Sequence, residues 1–290
     1  MALEVQEIDK EDDFMAVIVN DDMIESLNPS DFKNYSLNLL IKNQINSGVA
    51  AARNKAISLS AGEVILFLDQ DCVPQSDWLR KMIAFFKDHP DMDAVGGYIE
   101  PFSGRGLIND YFNYNNTLGK PIIDRLTGEI VCLITGNAGF RLSALKKIRG
   151  FNENAFNKSS HGGEDVDLTY RLKKAGFKIG CESEAVVFHS YPNNLRAVFY
   201  KYANYGRGMR LFCLARNINP TEIRQPKLSW FSALAYFFNI LPKAVRNFYS
   251  YGKLKRTKAI LFVFLDIIKY LGHGYGYFYA NYKSKFIPTE

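Results

Sequence analysis

The chain has 290 residues, 47% hydrophobic and 23% charged, an ordinary globular balance that excludes wholesale disorder. Its net charge of +6 is uneven, because residues 221–290 hold eleven Lys/Arg against three Asp/Glu while the rest is slightly acidic. A basic, aromatic-rich end of this kind suits an anionic surface, either membrane headgroups or nucleic acid.

In chain order, "FMAVIV" (14–19) predicts a strand ending at Asn20-Asp21-Asp22, and "SLNLLIKN" (36–43) a second one. Residues 46–62, "NSGVAAARNKAISLSAG", predict a helix entered through polar residues and closed by Gly62. "EVILFLD" (63–69) is the near-continuous apolar run of a strand buried on both sheet faces. A helix follows over 76–90, capped by Ser76 or Asp77 and broken at Pro90, then a strand over 93–101. Residues 102–129 read as an irregular polar surface connection. "GGEDVDLTYRLKKAGFKIG" (162–180) is a Gly-rich loop running into a helix that Gly176 ends, and "AVVFHSYP" (185–192) a short strand ending at His189.

From about residue 193 the sequence turns to long, aromatic, basic helices. "LSWFSALAYFFNIL" (228–241) is too short to span a bilayer, and "AILFVFLDIIKYLGHGYGYFYA" (259–280) is interrupted by Asp266, Lys269 and three glycines. Between them "KAVRNFYSYGKLKRTK" has six basic residues and no acid. The pattern predicts a region lying on a membrane rather than crossing it; two ordinary core helices are the alternative. Cys72, Cys132, Cys181 and Cys213 lie far apart without a CxxC pair, which argues against a zinc knuckle or disulfide framework and fits a reducing compartment. The acidic N-terminus has no apolar run of the signal-peptide kind.

Four groups of residues could carry chemistry. Asp69 and Asp71 end a buried strand, where ligands of open α/β sheets bind, and such carboxylates attract hard cations that in turn hold phosphate oxygens; helix-capping aspartates in a turn are the alternative. Glu164 and Asp165 follow two glycines, and one of them could take a proton from a hydroxyl; an acidic first helical turn explains them equally. His189 is a metal ligand or a structural imidazole. Arg53 suits pyrophosphate or carboxylate, or is a solvated surface residue.

The runs "VIVNDD", "NSGVAAARNKAISLSAGEVILFLDQDCVP", "TGNAGFRLSALKKIRGFNE", "GGEDVDLTYRLKKAGFKI" and "VVFH", in this order over residues 14–190, resemble glycosyltransferase family 2. The resemblance implies an α/β GT-A fold, Rossmann-like, with a mostly parallel sheet flanked by helices. It implies an N-terminally incomplete transferase domain over 1–192; the basic, aromatic helical region over 193–290, which composition suggests lies on a membrane, falls outside the resemblance. The resemblance further implies inverting sugar transfer from a nucleotide sugar, a UDP-sugar first, to a hydroxyl of a glycan or lipid-linked acceptor, with Mn²⁺ or Mg²⁺. Asp69 and Asp71 would form the D-x-D metal element, Asp71 as chief ligand and Asp69 near ribose or uracil, with His189 as a further metal or diphosphate contact. Asp165 would be the catalytic base and Glu164 its support. Asn20 or Asp21 and Arg53 would belong to the nucleotide pocket. Gly136, Asn137 and Ala138 would line the sugar and acceptor site. Arg207 and Arg210, from "YGRGMR", are placed near the leaving diphosphate by electrostatics only.

One departure stands out. Family members begin with a strand and helix before the "VVDD"-type strand, whereas here "ALEVQEIDKEDDFMAVIVNDD" runs from helix tail straight into that strand. The leading expectation is a true start upstream of Met1; a strand supplied by another segment or chain, or a homologue that no longer catalyses, are the alternatives. The functions expected are thus a cytoplasmic transferase at the inner membrane face or, as rival, a non-catalytic nucleotide- or sugar-binding partner. Nucleic-acid binding is disfavoured, because the basic residues alternate with long apolar runs.

Overall fold

The computed structural model describes residues 3–22, 24–102, 106–115, 119–124, 127–157, 162–190, 192–223, 225–227 and 229–279. Residues 280–290, which hold the end of the basic tail, lie outside the described residues, as do parts of the 102–129 connection.

Strands β1 (Ala16–Asn20) and β2 (Leu39–Asn43) pair in parallel as a two-stranded sheet. Helix α1 (Val49–Leu59) leads to β3 (Val64–Leu68), and a tight turn to β4 (Cys72–Pro74). Helix α2 (Trp78–Asp88), β5 (Ala94–Pro101) and α3 (Leu107–Asn115) follow. The short strands β6 (Ile122–Ile123) and β7 (Ile130–Cys132) form a hairpin before β8 (Asn137–Arg141), α4 (Leu142–Lys147), α5 (Glu164–Lys174) and β9 (Ile179–His189). Helices α6 (Leu195–Ala215), α7 (Trp230–Phe238), α8 (Ile240–Ser250) and α9 (Arg256–Phe278) complete the described chain.

The central sheet has the order β3-β8-β5-β9-β4. The α/β layering is as expected, but the pairing is mixed: β5/β9 is parallel, while β3/β8, β5/β8 and β4/β9 are antiparallel. Strand β3 explains its own sequence. Ile65 and Phe67 point into one core with Ala50, Ile57, Phe140 and Leu168, and Val64, Leu66 and Leu68 pack on the other core with Trp78, Met82 and Phe86. A strand sandwiched this way has no polar face to show. Among the described residues β1 is paired only with β2, and β3 only with β8, so one edge of each lacks a ladder partner.

Two expectations are corrected. Residues 102–129 are not wholly irregular, because Leu107, Ile108, Tyr111 and Phe112 share one side of α3 and insert beside Val198, Tyr251 and Phe262. By length and composition α9 is long and apolar enough to cross a membrane, in spite of Asp266, Lys269 and its glycines. Its 23 residues run unbroken, and Gly272 and Gly276 lie where any Cβ would collide with the backbone of Phe199 and Ala203, so the glycines let α9 press directly onto α6. Residues 193–279 are thereby built into the same body as the sheet, with Leu211 and Phe212 of α6 in the core beneath β8.

Candidate active site

The strand β3 ends in a turn in which the Cys72 N–H donates to the Asp69 carbonyl (3.0 Å). The turn sends the two aspartates to different partners. Asp69 Oδ1 accepts from Arg53 Nη2 at 3.0 Å, and Asp71 Oδ2 lies 3.1 Å from His189 Nε2. The second meeting follows from register, since Cys72 stands opposite His189 in the β4/β9 pair. Close approach at Asp69 depends on Gly136, where a Cβ would sit 2.8 Å from Asp69 Oδ2.

Arg53 is the hinge of the site. From α1 it reaches Asp69 with one nitrogen and Glu164 Oε1 with another (2.8 Å), so it ties the strand-end acids to the first turn of α5. Its guanidinium also lies 5.5 Å from the centre of the Phe151 ring. Burial alone would favour its neutral form, but Asp69, Glu164 and Asp165 outweigh it and raise its pKa. Glu164 is buried, and among the described residues its Oε2 has no hydrogen-bond partner, an orphaned acceptor beside Asp165.

Asp165 keeps part of its surface open, and among the described residues its carboxylate accepts only long bonds from Thr135 N (3.4 Å) and Oγ1 (3.5 Å). Burial pushes its carboxyl up to about 7, with the Glu164 charge adding and Arg53 opposing. A carboxylate with that affinity for a proton suits a general base near neutral pH. At Asp71 the balance is reversed. The hydrogen bond from His189 holds that carboxyl below its usual range, against burial and with help from the charges of His189 and Lys201.

Ligand atoms of Asp71, Cys72 and His189 all lie within 4.8 Å of one another. A carboxylate beside an imidazole fits Mn²⁺, and less closely Mg²⁺. Cys72 is the poor member, because burial and then Asp69 and Asp71 push its thiol up to about 12, and a protonated thiol does not ligate. Asp69, expected among the metal ligands, is not in this group; Arg53 engages its carboxylate.

Helix α6 forms a wall of the site, and its Lys201 and Tyr205 are residues that sequence reasoning did not assign. Lys201 is close enough to Asp71 and Cys72 for their charges to act on it, while burial lowers its pKa. One turn on, Tyr205 lies beside Gly162 and feels the charges of Asp165 and Glu164. Gly208 then touches the backbone of Gly163, whose φ of 95° belongs to the left-handed region that favours glycine. Positions 201, 205 and 208 share one helical face, so the spacing in "KYANYGRG" was the available signal.

Other expected residues are placed differently. Asn137 is 1% exposed. Its amide donates to Tyr98 O (2.8 Å) and Ala185 O (2.9 Å) and accepts from Trp78 Nε1 (2.8 Å), so it clamps β8 to β5, β9 and α2 and does not line a sugar site. Ala138 is fully buried beside it. Asn20 bonds Glu25 O, Asn43 Oδ1 and the Asp22 N–H, shaping its own loop. Asp21 accepts from Gln44 Nε2 and from the N–H groups of Ser47 and Gly48, which fixes the entry to α1. Arg210 turns its Nη1 to the carbonyls of Tyr277 and Phe278 at the end of α9 rather than toward Asp71. Arg207 lies half-buried on α6, directly before Gly208.

The glycosyl transferase family 2 model matches residues 6–149. An O-antigen chain rhamnosyltransferase of Salmonella typhimurium is 29% identical over 185 residues, 61% of this chain and 56% of that one. The chain spans 33% to 56% of the length of the curated relatives it matches first. Residues 1–349 of S. aureus TarS in complex with UDP-GlcNAc align with a TM-score of 0.52 and 16% identity, over 95% of this chain and 84% of that one. A mannosyltransferase from Pyrobaculum calidifontis in complex with GDP-Man and Mn²⁺ gives 0.55 and 15%, over 90% and 76%. At these identities the structural likeness speaks to the shared GT-A fold alone.

Proposed function

This chain belongs to glycosyltransferase family 2, and on that premise we propose that it transfers a sugar, with inversion, from a nucleoside-diphosphate sugar to a hydroxyl of a glycan or lipid-linked acceptor. The observation that carries the reading is the contrast between two carboxylates, Asp165 raised to about 7 and Asp71 held below its usual range, beside an Arg53 bridge that ties Asp69 to Glu164. Sites that drive acid–base chemistry separate their titratable groups in this way.

In the proposed reaction Asp165 takes the proton of the acceptor hydroxyl as that oxygen bonds to the anomeric carbon. The bond from that carbon to the diphosphate oxygen breaks on the opposite face, and the electron pair leaves with the nucleoside diphosphate. Arg53 and Glu164 set the position of Asp165, and Glu164 disfavours its ionisation. Lys201 meets the negative charge that gathers on the departing diphosphate near Asp71. Asp71 and His189 would hold a divalent ion, which supplies further charge stabilisation to the leaving group.

Titration calorimetry of UDP and GDP into the full chain, with and without Mn²⁺, tests the donor half, with Asp71→Ala as control. Binding that needs both metal and Asp71 supports the reading, and metal-independent binding refutes it. The rival, a binding subunit without catalysis, takes its support from the unpaired edges of β1 and β3. Slow hydrolysis of the bound nucleotide sugar that disappears in Asp165→Asn would exclude it.

A further inference from the structure

Helices α7 and α8 turn large apolar side chains outward in a regular pattern. On α7 these are Trp230 (65% exposed), Phe231 (77%) and Phe238 (78%); on α8 they are Leu241 (61%), Val245 (47%) and Tyr249 (79%). Spacings of one, seven and eight residues on α7 and of four on α8 put each set on one side of its helix, while Ala233, Ile240 and Ala244 face the protein. An apolar surface of this size is not a neutral feature of a soluble face.

Its charge is one-sided. Arg246, Lys253, Lys255 and Arg256 are exposed, and no carboxylate is paired with them among the described residues. The sole carboxylate of residues 223–289 is Asp266, which is 1% exposed and accepts hydrogen bonds from Tyr111, Tyr251 and Asn247. Cations around exposed aromatic and aliphatic rings are the composition of an interfacial helix, whose rings enter the headgroup boundary while its cations meet lipid phosphate.

We infer that the outer face of α7 and α8, with the cationic α8–α9 turn, docks onto the surface of an anionic lipid bilayer. Two copies meeting through this face would set like charges against each other. A nucleic acid would leave Phe231 and Phe238 without a stacking groove lined by cations. Crossing the bilayer is a poorer use of α9. Arg256–Phe278 is long and apolar enough by length and composition, yet its Gly272–Gly276 side is pressed onto α6 and Asp266 is enclosed by protein. The docking stands independently of the transfer reaction, since none of its residues belongs to the acid cluster.

The test is co-flotation of the full chain with phosphatidylcholine vesicles, with and without phosphatidylglycerol, at low and high salt. Expected is binding that requires phosphatidylglycerol and weakens with salt. Trp230→Ser/Phe231→Ser/Phe238→Ser should abolish it, and Arg246→Gln/Lys253→Gln/Lys255→Gln/Arg256→Gln should lower partitioning by up to about a thousandfold. All these positions are exposed, and circular dichroism of each variant checks that it remains folded. Failure to float with phosphatidylglycerol, or unchanged binding by either variant, overturns the inference. So does light scattering that shows a dimer which the serine variant dissociates, because the face would then be a protein interface.

Discussion

Replacing Arg53 with methionine tests the bridge on which the site depends. The side chains of Arg53 and Glu164 are 11% and 7% exposed, so their 2.8 Å pair lies in protein rather than water. Removing one partner of such a pair strands the other charge and costs about 3–5 kcal/mol. The Asp69 half adds about 0.2–1 kcal/mol at most, because that carboxylate is 42% exposed and solvent screens it. The loss has a pH signature. Arg53 opposes the upward shift of Asp165, so without it that carboxyl rises beyond about 7 and its ionised form becomes costlier still. A group with a raised folded pKa favours the fold at low pH and penalises it as pH rises. The penalty of Arg53→Met should therefore be largest above pH 7 and shrink toward pH 5, where Asp165 carries its proton. Urea unfolding at both pH values measures it, and the double variant Arg53→Met/Glu164→Gln should recover much of the loss. A loss under about 1 kcal/mol, or one indifferent to pH, would sink the bridge as a structural element.

For the transfer reaction, kcat/KM should climb with pH and level off above about 7, and Asp165→Asn should lower kcat about a hundredfold to ten-thousandfold while the donor still binds; a flat profile rejects Asp165 as base. Lys201→Gln should weaken nucleoside-diphosphate binding about tenfold and leave nucleoside binding unchanged, read by calorimetry, because the charge faces Asp71 rather than a base pocket. Asn137→Ala should destabilise the fold by about 3 kcal/mol by leaving Trp78 Nε1, Tyr98 O and Ala185 O unpaired in the core, with the donor KM of the folded protein unmoved. A specific rise in KM would return Asn137 to the sugar site.

What could be read in advance divides along physical lines. Strand β3 was legible as a continuous apolar run buried on both faces, and helices α1, α2 and α5 through their patterning and end signals. Asp69 and Asp71 stood out as two carboxylates crowded at a strand end, and Glu164 and Asp165 as acids following two glycines. Asn137 was misread for a definite reason: an amide within "TGNAG" looks like a loop contact, and only the cross-sheet positions of Tyr98, Ala185 and Trp78 reveal it as a clamp. Asp21 and Asn20 were likewise bound by their own loop, which local sequence does not disclose. Lys201 and Tyr205 were missed although Arg207 and Arg210 close by were placed near the diphosphate, because only the helical spacing of 201, 205 and 208 shows which face of α6 turns to the acids.

That return links the site to the rest of the molecule. Helix α6 turns Lys201 and Tyr205 toward the acids, and through Gly206 it meets the backbone of α9 at His273. Ala203 and Phe199 lie against Gly276 and Gly272 so closely that no side chain fits between the two helices. Close backbone packing of this kind does not slide without losing its contacts, because a shift of a few tenths of an ångström already forfeits dispersion energy along the whole interface. Helices α8 and α9 are bound in turn by Asp266, which joins Tyr251 and Asn247 of that pair to Tyr111 of α3. The position of α7–α9 is therefore fixed relative to Asp71 and Asp165 by the same contacts that complete the site wall. Whatever surface α7 and α8 rest on, the acids face it at one set angle, and a change in the glycine interface would disturb the chemistry before it disturbed the sheet.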